Sequence, residues 1–135
     1  MAKRKRTHSQ IGRGSKNKGR CGEREFAIEC GWLLDDPSMR RGQQFQGTPE
    51  SPDVVGDSLP GVHFEVKRCE SLSIYKAMEQ AVEDAGPGKV PVVVHRRNNQ
   101  KWLVVLRMED VLAFTNAIMA WVRRVEDVEE KGEEA

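Results

Sequence analysis

The apolar run VPVVV at residues 90–94 constrains the fold of this chain more than any other feature. A strand with one exposed face alternates apolar and polar side chains, whereas a strand that is covered on both faces is apolar throughout. Such a strand needs helices on both sides of its sheet, and the segments 73–85 and 109–128 carry apolar residues at helical spacing. The sequence therefore predicts an α/β fold.

The other elements follow from apolar periodicity and from the residues that interrupt it. A first helix is expected over 21–34, because Pro37 and the two aspartates before it end the helical pattern. Strands are expected over 39–46, around Asp53, and over 62–68, 90–96 and 101–106. The order helix, three strands, helix, two strands, helix predicts a central mixed five-stranded sheet flanked by helices.

Length and composition limit the class of protein. At 135 residues the chain forms one compact domain, with no apolar run long enough to span a membrane and no signal-like segment after Met1. We therefore expect a soluble protein of the cytoplasm that contacts no membrane. The three cysteines and three histidines lack the spacing of a disulfide framework or a zinc site.

The net charge of +1 conceals a strong charge gradient along the chain. Residues 1–19 form a basic arm without acidic residues, which predicts disorder in the free protein and contact with a phosphate backbone. A solubilising or nuclear-import-like tail is the alternative interpretation. Residues 20–128 then form the folded domain and 129–135 an acidic tail. The predicted DNA-contacting side chains of the basic region are Lys3, Arg4, Lys5, Arg6, Arg13, Lys16, Lys18 and Arg20.

The candidate chemistry lies in two neighbouring strands. Asp53 begins the first, and the second carries Glu65 and Lys67 two residues apart. Alternation places these two side chains on one face, roughly 7 Å apart, and the apolar residues of the strand on the other. Carboxylates hold a divalent cation through hard oxygen ligands, and an ammonium beside them orients or deprotonates a water. This equipment predicts metal-assisted phosphodiester hydrolysis, although an ordinary amphipathic hairpin with a solvated charged face has the same pattern.

Glu23 is a candidate third carboxylate. It lies on the apolar stripe of the first predicted helix, three residues before Phe26 and seven before Cys30. A carboxylate aimed at the core is costly unless it is paired or coordinates a metal. We therefore favour a metal-site role for Glu23, with complementation of the helix dipole as the alternative.

These residues, in this order and spacing, resemble the PD-(D/E)XK nuclease superfamily, and within it the archaeal-type Holliday junction resolvases, which some bacteriophages also carry. The resemblance covers residues 19–112. It rests on the runs GERE at 22–25, PDVV at 52–55, FEVK at 64–67, IY at 74–75 and EQA at 79–81. It implies a restriction-endonuclease-like core.

The resemblance also implies roles for individual residues. Glu23, Asp53 and Glu65, together with Val66, would surround one or two Mg²⁺ ions, for which Mn²⁺ can substitute. Lys67 would serve the attacking water.

Arginines complete the implied site. Arg24, directly after the helix-start glutamate, would be required, and so would one arginine on the strand before Asp53. Both Arg40 and Arg41 qualify for the second position; we assign Arg41 to the catalytic set and Arg40 to DNA binding, and the choice between them stays open. The other predicted DNA contacts are Arg68, Arg96 and Arg97.

The implied activity is resolution of four-way DNA junctions by paired symmetric nicks that leave 5′-phosphate and 3′-hydroxyl ends. The implied partners are branched DNA and a second copy of the chain, without a small-molecule cofactor. If a phage encodes the protein, the implied location is the cytoplasm of the bacterial host. The alternatives are another PD-(D/E)XK nuclease, acting on flaps or nicked duplex, and a non-catalytic DNA-binding module.

The last predicted helix carries more apolar surface than one side of a small sheet requires. Its apolar residues alternate at three-four spacing from Val111 to Val128 and include Trp121. We therefore expect a two-fold symmetric homodimer with this helix, including Trp121, at the interface. The alternative is a helix that is wholly intramolecular and a dimer that forms elsewhere, for example through sheet edges.

Overall fold

The computed structural model describes residues 8–42 and 52–133, and within the first segment it describes side chains from residue 18 onward. One helix precedes the strands in sequence, a second lies between the third and fourth strands, and a third follows the last strand. The elements are α1 (His8–Leu34), β1 (Arg40–Arg41), β2 (Val54–Val55), β3 (Val62–Arg68), α2 (Ile74–Ala85), β4 (Val90–Arg96), β5 (Leu103–Val105), a 3₁₀ turn (Met108–Asp110) and α3 (Val111–Glu133).

The five strands form one sheet in the order β1-β2-β3-β4-β5. Strands β3 and β4 are parallel and are joined through α2, whereas the other three pairs are antiparallel. A parallel pair needs a crossover connection, and α2 supplies it. The predicted α/β architecture, with a mixed five-stranded sheet flanked by helices, is therefore confirmed.

The two faces of the sheet carry separate clusters of buried side chains. On one face, Phe26 of α1 packs against Phe64 of β3 with ring centroids 5.3 Å apart and against Trp102 at 5.4 Å. On the other face, Ala77 and Ala81 of α2 pack against β4. The central strands are thus covered on both sides, as the apolar run at 90–94 predicted.

Helix bounds differ from the predicted ones by more than two residues at two ends. Helix α1 begins at His8 rather than near Cys21, so residues 8–19, assigned to a disordered arm, are helical. Once the C-terminal half of a helix is packed, each added residue gains a hydrogen bond without a new nucleation cost, which favours this extension. For the same reason α3 continues to Glu133, into the predicted acidic tail. Residues 1–7, 43–51 and 134–135 lie outside the described residues, so the predicted strand over 39–46 is described only at its start.

Helix α3 lies against the α1 side of the sheet through few contacts. Phe114, Ala117 and Ile118 are partly buried against the core, and the indole N–H of Trp121 donates to the carbonyl oxygen of Leu34 at 2.7 Å. None of the residues of α3 is buried. Within the described part of the chain, no helix combines the length and apolarity that crossing a membrane requires.

Candidate active site

The position of Asp53 is set by backbone pairing on both sides. Its N–H donates to the carbonyl oxygen of Phe64 at 3.0 Å, and its own carbonyl oxygen accepts from the N–H of Gly42 at 2.8 Å. A Cβ at Gly42 would collide with the carbonyl oxygen of Pro52, so only glycine permits this close approach. The Asp53 side chain then accepts the N–H of Val66 at Oδ2, 2.8 Å away.

The environment of Asp53 is unfavourable to its own negative charge. Burial raises the pKa of this carboxyl to about 7, with further contributions from the charges of Glu65 and Glu23. The Val66 N–H and the Lys67 ammonium act in the opposite direction but do not cancel the effect. The charges of Glu65, Glu23 and Lys67 are therefore close enough to Asp53 to affect its pKa.

Glu65 is buried on the α2 face of β3, with 4% of its surface exposed. Its Oε1 lies 3.0 Å from Nε2 of His63, which is itself 1% exposed. Lys67, on the same face, is only half-buried, and its ammonium donates to Oε1 of Gln80 on α2 at 3.2 Å. The charged face of β3 is therefore enclosed by α2, which contradicts its interpretation as a solvated hairpin face.

Glu23 approaches the same point from α1. Gly22 lets the helix lie directly against the end of β3, because a Cβ at that position would collide with the side chain of Arg68. The Glu23 carboxylate accepts a hydrogen bond from Nε of Arg41 on β1. Arg40 instead donates to the carbonyl oxygen of Ser38 at 3.1 Å in an exposed position. Of the two arginines left open by the sequence, Arg41 is the one that contacts a site carboxylate.

Arg24 lies outside this cluster. It is exposed on α1 and makes no hydrogen bond or ion pair with the other side chains that the structure describes. Val66 contributes its backbone N–H to Asp53, and its side chain belongs to the core on the α1 face.

Asp84 is a site residue that the sequence analysis missed. One ligand atom from each of His63, Glu65 and Asp84 lies within 4.8 Å of the others. Burial raises the pKa of Asp84, and a hydrogen bond with Glu65 and the charge of Glu65 raise it further. A signal was present, since Asp84 follows Ala81 by three residues and Ala77 by seven and so shares the inward face of α2.

The predicted DNA-binding residues divide into three groups. Arg68 and Arg96 both pair with Glu25, the former at 3.7 Å, so their charge is partly neutralised within the chain. Arg97 and Arg20 are exposed, and Lys18 is half-buried. The side chains that lie outside the described residues are those of Lys3, Arg4, Lys5, Arg6, Arg13 and Lys16.

The donor chemistry of the cluster suits a divalent cation. Glu23, Asp53, Glu65 and Asp84 supply carboxylate oxygens, the ligands that Mg²⁺ and Mn²⁺ prefer. The raised pKa of Asp53 shows that the Lys67 ammonium and the Val66 N–H do not offset the burial of this carboxylate and the charges beside it. A bound cation would supply the missing positive charge.

Comparison with family models, with curated proteins and with solved structures finds no match to this chain.

Proposed function

We propose that this protein is a metal-dependent DNA endonuclease with a restriction-endonuclease-like core that resolves four-way junctions by paired nicks. The observation that carries the proposal is that the Asp53 carboxylate accepts the N–H of Val66, the residue between Glu65 and Lys67 on β3, so that two carboxylates and an ammonium lie on neighbouring strands. Carboxylates withdrawn from water are costly when they serve only packing. Their retention at one point favours a chemical role.

The same charges argue against a purely DNA-binding module. A phosphate backbone approaching Glu23, Asp53 and Glu65 would be repelled unless a cation lay between them. Asp53 and Glu65 would hold that cation, and Asp84 has a ligand atom within 4.8 Å of one on Glu65. A bound divalent cation supplies a Lewis acid for phosphodiester hydrolysis and a low-pKa water as nucleophile.

The chain's own residues supply orientation and charge. Lys67, held by Gln80, presents its ammonium beside the carboxylates, where it would orient the attacking water or stabilise charge on the phosphate. His63 fixes the carboxylate of Glu65, and Arg41 fixes that of Glu23. These contacts would keep the carboxylates in place before substrate binds, which lowers the reorganisation that catalysis requires.

The preference for junctions rests on the resemblance of the site runs to the archaeal-type resolvases. The direct test is a panel of labelled four-way junction, flap and nicked duplex, incubated with the protein in Mg²⁺ or in chelator. We expect Mg²⁺-dependent cutting of the junction at symmetric positions, with 5′-phosphate ends. Preferential cutting of the flap or the nicked duplex would replace the junction assignment and leave the nuclease assignment intact.

Asp53→Asn tests the nuclease assignment itself, because it removes the charge that would hold the cation. Cleavage should be lost, while gel-shift affinity for the junction is unchanged or higher, since a negative charge near phosphate is gone. Asp57→Asn, at an exposed neighbouring aspartate, is the matched control and should cut normally. Near-normal cutting by Asp53→Asn would remove the basis of the proposal.

The two strand arginines form a natural matched pair. Arg41→Gln removes the donor to Glu23 and should slow cleavage on the order of 10- to 100-fold, the effect typical of groups that position a metal ligand. Arg40→Gln removes an exposed hydrogen bond and a predicted DNA contact, so at saturating protein concentration it should change the cleavage rate less than about twofold. Equal rates for the two variants would exclude a role for Arg41 in the site.

We also propose that two copies of the chain pair through α3, so that two sites act on one junction. Leu112 and Val128 of this helix are 77% and 70% exposed, and Met119 is 43% exposed. Leu112→Glu should convert a dimer to a monomer in light scattering, whereas Ala113→Glu, also exposed on α3 but about 100° around the helix from Leu112, is the control. Trp121 is a poorer test because its loss would also break the bond to Leu34. A dimer that persists in Leu112→Glu would place the interface elsewhere.

A further inference from the structure

A second feature, at the C-terminal end of β4, is a cavity of about 720 Å³ between the β4–β5 hairpin and the start of α2. Its lining combines basic and apolar side chains. Arg97 and Lys101 lie on the hairpin, and Leu72, Ile74 and Leu103 form an apolar wall. This combination differs from the carboxylate cluster, so the two places would bind different parts of a ligand.

The charge of the cavity is positive. Arg97 and Lys101 are exposed and form no ion pair with any residue that the structure describes, whereas Arg96, which also lines the cavity, pairs with Glu25. None of the described lining residues is acidic. An anion that entered would therefore meet two uncompensated cations.

The hairpin that carries these cations is held in one conformation. The N–H of Asn98 donates to Glu70 at 2.7 Å, and its side-chain oxygen accepts from Arg68 at 2.7 Å. Asn99 adopts a left-handed conformation with φ of 58°, which asparagine tolerates better than most residues. The guanidinium of Arg96 also donates to the carbonyl oxygen of Gln100 at 3.2 Å. A hairpin ordered before binding loses less entropy when a ligand docks.

The apolar wall narrows the class of ligand. Ile74 and Leu103 are 48% and 61% exposed, so they offer apolar surface beside the two cations. Free phosphate would use only the cations, and an apolar peptide would use only the wall. A nucleotide unit uses both, because its phosphate carries the charge and its sugar and base offer apolar faces.

The cavity also adjoins the candidate active site. His95, another lining residue, is the register partner of Lys67 across the parallel pair β3–β4. Neighbouring strands lie about 4.8 Å apart, so the cavity begins one strand away from the active-site lysine on the same face of the sheet. From this placement we infer that the cavity is a subsite for one nucleotide that flanks the cut on the cleaved strand. The inference rests on the proposed nuclease function.

The first test measures DNA binding without cleavage. In an Asp53→Asn background with chelator, Arg97→Gln/Lys101→Gln should weaken anisotropy-measured affinity for a labelled junction about tenfold and flatten the log-log salt dependence by about 1. The matched control, Lys89→Gln/Lys131→Gln, also removes two exposed charges, one directly before β4 at its opposite end and one near the end of α3. It should change affinity less than about twofold. Equal losses in the two double variants would overturn the subsite.

The second test locates the contact on the DNA. A single neutral methylphosphonate is placed at each position along the cleaved strand in turn. The subsite predicts one flanking position at which neutralisation weakens binding by the Asp53→Asn protein but not by its Arg97→Gln/Lys101→Gln derivative. Equal sensitivity of both proteins at every position would contradict it.

The two proposals fail in different ways. If the wild-type protein cuts the junction in Mg²⁺ but the cavity variant binds like its control, the subsite is wrong and the nuclease assignment stands. If the cavity variant loses affinity and no DNA is cut, the cavity is a DNA contact of a protein that is not a nuclease. Wild-type protein that binds no DNA would overturn both.

Discussion

Asp36 and Asp53 are both withdrawn from solvent, but their surroundings shift the pKa of the two carboxyls in opposite directions. Asp36 is 3% exposed, and burial alone would raise its pKa, but hydrogen bonds from Ser38 and Ser58 outweigh burial and hold the pKa below its usual range. These bonds are 2.6 to 3.0 Å long. Asp53 receives one N–H, from Val66, and its pKa is raised to about 7.

Under the proposed function, the difference separates a structural carboxylate from one that would hold a cation. Around Asp36 the chain itself supplies the donors, so the loop after α1 is complete without a ligand. Around Asp53 the nearest charged groups include two further carboxylates, and the chain leaves the charge uncompensated. A protein tolerates an uncompensated buried carboxylate where a bound ligand supplies the missing positive charge.

The largest expected effect is a difference in junction cleavage rate between the variants of the two aspartates. Asp53→Asn should reduce junction cleavage on the order of 1000-fold, about 4 kcal/mol of transition-state stabilisation. Asp36→Asn should change the rate less than about threefold at temperatures where the variant is folded. Initial rates in Mg²⁺ on one junction decide the matter. Comparable losses in both variants would mean that the two carboxylates do not differ in role.

The free energy of unfolding should also distinguish the two aspartates, with the larger loss for the Asp36 variant. Asp36→Asn replaces an acceptor oxygen by an N–H₂ group facing donors, which should lower the free energy of unfolding by about 2 to 3 kcal/mol. Asp53→Asn removes a repelled charge, so the metal-free protein should unfold at the same or higher denaturant concentration. Urea unfolding in chelator at pH 8 measures both. A large loss in Asp53→Asn would show that its carboxylate stabilises the fold.

The smallest effect is a pH dependence of opposite sign at the two positions. The pKa of Asp53 is raised on folding, so its stabilising contribution is full below about pH 4 and is lost as pH rises through 7. Between pH 5 and pH 8 the Asp53 carboxyl should reduce the free energy of unfolding of the metal-free protein by about 2.5 kcal/mol, and Asp53→Asn should remove that part of the loss. Asp36, with a lowered pKa, acts below this window, where stability falls as pH falls through its folded pKa. A flat profile in wild-type protein would contradict the raised pKa.

Local patterns predicted β3 and β4 correctly because each is a full strand buried in the sheet, where alternation or continuous apolarity is strongest. The same patterns fail at Leu33, which follows Phe26 by seven residues and so shares the predicted buried stripe of α1, yet is 84% exposed. Helical spacing identifies a face but does not say where the sheet beneath it ends.

The candidate site was predictable where residues are close in sequence and less so where they are distant. Glu65 and Lys67 follow from strand alternation alone. The contact of Arg41 with Glu23 depends on how β1 lies beside α1, which no local period encodes. Asp84 reaches Glu65 only because the parallel crossover folds α2 over β3, so its position beside Glu65 became visible with the tertiary structure.

The loose attachment of α3 has a consequence for the time scale on which the chain opens. Helix α3 has no buried residue and is held by the Trp121–Leu34 hydrogen bond and by the partly buried side chains of Phe114, Ala117 and Ile118. It can therefore detach while the sheet stays intact. Its amide hydrogens should then exchange with solvent long before those of β3 and β4. If a second copy of the chain covers the same helix, the detached form is depleted by mass action. The exchange rate of α3 would in that case fall as protein concentration rises, so local unfolding and assembly would be one equilibrium.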